Sequence, residues 1–238
     1  MTVDVYFTPQ EYIVRPPVGE HAVAVLDIFR ATTSMTTAFA NGCRRIVPVS
    51  TVEEAFALKE RLAGALLAGE RQARPIPGFD LGNSPGEYDR VMVAGKTIIM
   101  TTTNGTVALK TAEKAAKVYV GAFVNAAALC RQLSSIAMDI VILCAGTRGH
   151  LTIEDALCAG LLADRLAGHS EPSDAALAAR AIYNDYRADL VRRTSRGEHA
   201  RNLAAIGYGD DIAYCLQHDL YDYIPEFRNG EIIDPADV

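Results

Sequence analysis

Residues 22–41 read Ala22-Val23-Ala24-Val25-Leu26-Asp27-Ile28-Phe29-Arg30-Ala31-Thr32-Thr33-Ser34-Met35-Thr36-Thr37-Ala38-Phe39-Ala40-Asn41. An unbroken apolar run ends on an aspartate, turns through arginine and hydroxyl residues, and continues into a segment of helical character. A continuous apolar strand suits a parallel sheet covered on both faces. The same order returns along the chain. Strands are expected at residues 3–7, 22–27, 45–50, 66–69, 97–100, 117–121 and 139–144, and helices at 33–41, 52–63, 106–116, 125–133, 153–166, 174–193 and 210–217. This alternation predicts an α/β fold with a mostly parallel central sheet. Residues 221–233, with Asn229-Gly230 as a turn signal, read as a hairpin. No Ser-, Gly- or Pro-rich linker divides the chain, so residues 1–238 are expected to form a single compact domain.

A shift of 72 residues lays residues 25–61 over 97–133 without a gap. It superposes strand, turn, helix, strand and helix, with Thr32-Thr33-Ser34 falling on Asn104-Gly105-Thr106. This internal strand-turn-helix repeat predicts two equivalent turns at the same sheet edge, beyond the carboxyl ends of the strands, where open α/β sheets bind ligands.

Half of the 238 residues are hydrophobic, which supports a large core and excludes both disorder and a disulfide-dependent mini-domain. Lys plus Arg is 23 and Asp plus Glu is 29, so no general basic field exists to hold nucleic acid. Five cysteines without a Cys-x-x-Cys pair read as reduced thiols of a cytoplasmic protein. No apolar run approaches a membrane span and the first residues lack the pattern of a secretion signal, so no membrane association is expected. A homo-oligomer is the default expectation.

The polar clusters follow the expected strands. They are Asp27 to Ser34, Glu70-Arg71, Gly78 to Pro85, Thr101 to Thr106, and Ala145 to Gly149 followed by Glu154-Asp155. Thr102, Thr103, Asn104, Gly105 and Thr106 form the best anion-site candidate, because glycine admits close backbone approach and hydroxyls bond phosphate oxygens. Thr32, Thr33, Gly146 and Thr147 belong to turns of the same kind. The equivalent structural reading is an ordinary helix N-cap. No P-loop spacing is present. Haloacid-dehalogenase spacing and the Cys-x-x-x-x-x-Arg of cysteine phosphatases are also missing.

Asp27 at a strand end can hold Mg²⁺ beside a bound phosphate, or form a structural ion pair. Glu70, Glu154 and Asp155 supply further acid; near a helix start the last two also favour the helix dipole. Arg30, Arg71 and Arg148 suit bidentate anion contacts. The arginines at 187, 192, 193, 196 and 201 read as a solvated face, and the histidines show no metal-ligand spacing.

Together, Leu26 to Thr33, Gly69 to Arg71, Gly78 to Pro85, Thr101 to Thr106 and Cys144 to Asp155 resemble the motifs of the 2-phosphosulfolactate phosphatase family over nearly the whole chain. The ending Gly207…Asp211-Ile212…Cys215…Pro225 is similar as well. The chain departs at Gln72-Ala73-Arg74, where a glycine-rich continuation is expected. The resemblance implies a three-layer α/β/α fold and a Mg²⁺-dependent hydrolase that converts 2-phosphosulfolactate to 3-sulfolactate and phosphate, a step toward coenzyme M. On this reading Asp27, Arg30, Glu70 and Asp155 are catalytic. Asp27, Glu70 and Glu154 hold the metal. Thr32, Thr33, Arg71, Asn83, Ser84, residues 102–106, Gly146, Thr147 and Arg148 bind a small anionic phosphorylated substrate. Two rivals are a phosphatase for another phosphorylated 2-hydroxy acid and a non-catalytic anion-binding protein.

Overall fold

The computed structural model describes residues 1–235. Among them the strands are β1 (Thr2–Tyr6), β2 (His21–Leu26), β3 (Arg45–Pro48), β4 (Leu66–Arg71), β5 (Arg74–Pro75), β6 (Thr97–Thr101), β7 (Lys117–Gly121), β8 (Asp139–Cys144), β9 (Glu171–Pro172), β10 (Glu226–Arg228) and β11 (Glu231–Ile233). They join in one sheet of order β5-β4-β6-β3-β11-β10-β7-β2-β8-β1-β9. The helices are α1 (Pro9–Val14), α2 (Ala31–Ala40), α3 (Val52–Arg61), α4 (Arg90–Val93), α5 (Gly105–Thr111), α6 (Ala126–Ser135), α7 (Ile153–Leu166), α8 (Asp174–Tyr186), α9 (Leu190–Thr194), α10 (Glu198–Ala205) and α11 (Gly209–Cys215).

Strand alternation divides the core between two faces. Ala22, Ala24 and Leu26 of β2 pack with α6, α7, α8, α10 and α11, whereas Val23 and Val25 pack with α2 and α5. The result is three layers, α/β/α. The expected long helix at 174–193 is interrupted: after Tyr186 a 3₁₀ turn, Arg187–Asp189, leads into α9. Arg193 folds back there, pairing with Asp185 and stacking 3.9 Å over the Tyr186 ring. Arg187, Arg192, Arg196 and Arg201 are exposed, the solvated face read from the sequence.

The hairpin has an unexpected place. Asn229 and Gly230 take φ of 53° and 79°, the left-handed pair that a two-residue hairpin turn needs. Instead of lying at an edge, β10 and β11 join two parallel blocks: β10 pairs antiparallel with β7, and β11 antiparallel with β3. On one side β3, β6 and β4 run parallel, on the other β7, β2, β8 and β1. The order is symmetric about the hairpin and matches the repeat: β2, β3 and β4 on one pass correspond to β6, β7 and β8 on the next. Arg45 and Lys117, one repeat apart, each pair with a hairpin glutamate, Glu231 and Glu226, at 2.9 Å.

The three antiparallel junctions give the two blocks opposite polarity. The loops after β2 and β6 nevertheless meet, the Gly105 Cβ position lying 2.8 Å from Asp27 Oδ2. Because Phe227 is 4% exposed and sits at this junction, Phe227→Ala should cost about 3–4 kcal/mol in urea unfolding. Val18→Ala, at a residue 95% exposed, should change stability by less than about 0.5 kcal/mol. Equal effects would mean that the hairpin does not hold the blocks together.

Candidate active site

Four strand ends converge. The loop after β2 carries Asp27, and the loop after β6 reaches it through Gly105, where a Cβ would stand 2.8 Å from Asp27 Oδ2 and 2.7 Å from Ala31 Cβ. Only glycine allows that approach. Glu70, at the end of β4, binds both neighbours: Oε1 accepts the Thr103 N–H at 2.7 Å and Oε2 the Ala73 N–H at 2.8 Å. Asp155, in the first turn of α7, accepts the N–H of Ile28 at 2.9 Å and of Gly146 at 3.0 Å. The β2 and β8 loops are thereby joined. Glu154 points to α10, where its Oε1 lies 2.7 Å from His199 Nδ1.

The hydroxyls of α2 serve its own burial. All residues from Ala31 to Phe39 are buried. Thr32 Oγ1 accepts the Asp27 N–H, Thr33 Oγ1 donates to Ile28 O, and Ser34 Oγ donates to the carbonyl of Asn83. Thr102 and Thr106 bond each other's main chain across the β6–α5 turn. Among the described residues the N–H groups of Asn104 and Gly105 have no protein acceptor, and Asn83 Oδ1 and Thr147 Oγ1 are buried without a partner.

The arginines separate. Arg30 is 1% exposed; it donates to Asp211 Oδ2 and to Ala73 O, both at 2.8 Å, and stacks 4.1 Å from the Tyr208 ring. Asp211 Oδ1 also accepts from Ser84 Oγ at 2.7 Å. Arg71 donates to Glu70 O, Ser50 O and Thr101 Oγ1, all uncharged acceptors, and pairs with no carboxylate among the described residues. Arg148 is exposed on the turn bridged by Thr147 and His150 and donates to none of these groups. The departure at residues 72–74 has a backbone counterpart: Gln72 and Ala73 take φ of 54° and 63°, where glycine is free of strain.

The acids perturb one another. Burial pushes the Asp27 pKa up to about 6; the His199 charge opposes the rise and the Glu70 charge adds to it. Burial, then the charges of Glu154 and Asp27, hold Asp155 well above the carboxylate range. Burial works against a protonated His199, yet the Glu154 hydrogen bond and the charges of Glu154, Asp27 and Asp155 outweigh it and raise its pKa. No side chain donates to the Asp27 carboxylate among the described residues. His199 and Asp211, on the carboxyl-terminal helices, stand in no motif spacing with Asp27; the resemblance in the ending reaches Asp211 alone, and nothing in the sequence marks His199.

The donor set fits a hard divalent cation. Mg²⁺ needs only one or two carboxylates beside phosphate oxygens and water, and Asp27 offers a buried carboxylate free of side-chain donors. Glu70 and Glu154 already have partners. Among the described residues no three His, Cys, Asp or Glu side chains form a ready-made cage.

The chain matches the family model described as 2-phosphosulpholactate phosphatase over residues 7–230. It is 43% identical to the "Probable 2-phosphosulfolactate phosphatase" of Caldanaerobacter subterraneus subsp. tengcongensis, covering 89% of each chain. Proteins of the same printed name are 38% identical in Symbiobacterium thermophilum, over 92% of this chain and 97% of the relative, and 37% identical in Clostridium acetobutylicum, over 98% and 100%.

Two outcomes follow from the buried charges. The folded pKa of Asp27 stands above its unfolded value, so its stabilising contribution is complete below about pH 4 and is lost as pH rises through about 6. In chelator, Asp27→Asn should therefore be more stable than wild type by roughly 2–3 kcal/mol at about pH 8, with the gap closing near pH 4; a gap independent of pH would contradict the shift. Asp211→Ala, which strands the buried Arg30 guanidinium, should lower unfolding free energy by about 3–5 kcal/mol.

Proposed function

The chain belongs to the 2-phosphosulfolactate phosphatase family and is a phosphoric monoester hydrolase, and from that premise we propose that it hydrolyses 2-phosphosulfolactate to 3-sulfolactate and phosphate with the aid of Mg²⁺. The approach of Gly105 to the Asp27 carboxylate carries this reading, because it sets a loop with free N–H groups directly beside an acid. A carboxylate next to a phosphate binder is repulsive unless a cation lies between them.

Asp27 would hold Mg²⁺, which when bound supplies positive charge opposite the phosphoryl oxygens. The Asn104 and Gly105 N–H groups donate to those oxygens and stabilise the charge spread over them as phosphorus changes partners, a reaction governed by positioning and electrostatics. Glu70 keeps Thr103 and the turn at Ala73 in place, so this loop is aimed before substrate arrives. Arg71, whose charge has only neutral partners, receives the carboxylate or sulfonate of the substrate. Arg30, fixed by Asp211 and Tyr208, contributes a permanent positive charge behind the β2 loop. Asp155, whose raised pKa makes its ionised carboxylate a stronger base than an exposed aspartate, receives the proton that the attacking water gives up.

A phosphate-release assay on 2-phosphosulfolactate tests the assignment. Turnover should require Mg²⁺ and stop in chelator, Asp27→Asn should lower kcat by at least about 10³-fold, and Arg71→Ala should raise KM by about tenfold or more. Full turnover in chelator would remove the metal. Turnover confined to other phosphorylated 2-hydroxy acids would replace the substrate.

A further inference from the structure

His199 lies outside every motif quoted above, yet the fold delivers it to the acidic cluster. Gly197 begins α10 against α7, with its Cβ position 2.9 Å from Ile153 Cγ2, and two residues later the imidazole meets Glu154. That carboxylate has a side chain 2% exposed. Since an ionised carboxylate only accepts, Nδ1 carries the hydrogen of the 2.7 Å bond. The Phe29 ring packs edge-on at 6.0 Å between centroids and fixes the imidazole plane. Nε2 is left without a hydrogen-bond partner among the described residues, and the His199 side chain keeps 21% of its surface exposed. The Phe29 contact sets this ring against the loop that carries Asp27, a loop that Asp155 fastens through Ile28.

We propose that His199 is a catalytic residue, the general acid that protonates the leaving oxygen through Nε2, with Glu154 as its positioning residue. The proposal rests on the phosphatase reading. The leaving group of a phosphorylated 2-hydroxy acid is an alkoxide, too basic to depart readily without a proton. A guanidinium is no proton donor in proteins, so Arg30 and Arg71 supply charge alone. As the water oxygen bonds to phosphorus, the bond from phosphorus to the substrate's C2 oxygen breaks and its electron pair stays on that oxygen. The Nε2 proton goes to the same oxygen, giving the hydroxy acid. The water gives one proton to the Asp155 carboxylate and keeps the other as hydrogen phosphate. Return of that proton from Asp155 to His199 closes the cycle.

The test compares wild type, His199→Gln and Glu154→Gln for phosphate release from 2-phosphosulfolactate and from 4-nitrophenyl phosphate, whose leaving phenolate needs no proton. His199→Gln should lower kcat on the sulfolactate ester by about 10²-fold or more, with KM within about threefold and the melting midpoint kept. The nitrophenyl ester should lose less than about tenfold. Glu154→Gln, which retains an acceptor for Nδ1, should fall less on the alkyl ester. A His199→Gln kcat close to wild type, or equal fractional losses on the two esters, overturns the assignment. Wild-type enzyme inactive on every phosphorylated 2-hydroxy acid would overturn the phosphatase reading first.

Discussion

Everything at the rim of this sheet depends on carboxylates buried where water does not compensate them. An ionised acid taken from water is costly unless hydrogen bonds or opposite charge replace the solvent. Here the replacement is mostly main chain. Glu70 holds Thr103 and Ala73, and Asp155 holds Ile28 and Gly146. Each acid therefore joins two loops that leave different strands, and the loops cannot part without exposing a buried carboxylate to an unpaired state. Asp211 does the same with side chains, joining Arg30 to Ser84 across 181 and 127 residues of sequence. Asp27 differs, having no side-chain donor among the described residues.

The pseudo-symmetry explains how such loops come together. Two copies of a strand-helix-strand-helix unit would by themselves present two separate open edges. The hairpin of β10 and β11 inserts between β3 and β7, satisfies both, and reverses one block against the other. Equivalent basic residues, Arg45 and Lys117, meet Glu231 and Glu226. These partly exposed pairs contribute little energy individually but fix register where each junction has one bridged residue pair. Small side chains let the loops after β2 and β6 meet: glycine at 105 and alanine at 31.

Much of this was legible because it depends on local pattern. The runs at 117–121 and 139–144 are strands with the expected bounds, and Asn229-Gly230 forms the turn its composition implies. The placement of the hairpin was hidden, since no local signal tells a central β ribbon from an edge one. In the site, the sequence identified the strand-end loops but not the partners within them. Thr32 and Thr33 look like phosphate ligands until α2 is seen to be buried on every side, which obliges their hydroxyls to bond main chain. Arg30 reads as a free anion binder because Asp211 lies far along the chain. His199 is silent in sequence for the same reason: a histidine acquires meaning from what faces it, and Glu154 is 45 residues away.

The same burial that fastens the loops sets the chemistry. A crevice rich in acid resists a dianionic phosphate, so substrate and positive charge must enter together or the positive charge must already be fixed. In the proposed mechanism Arg71, Arg30 and a protonated His199 supply the fixed part. Their chemical differences divide the work: one arginine is open to an anion, one is locked by Asp211, and the imidazole alone can release a proton near neutral pH. A divalent cation on Asp27 would complete the balance opposite the phosphoryl oxygens. Low dielectric then strengthens each of these interactions relative to water, and because Glu70 and Asp155 have already fixed the loops, little reorganisation is left to oppose the transfer.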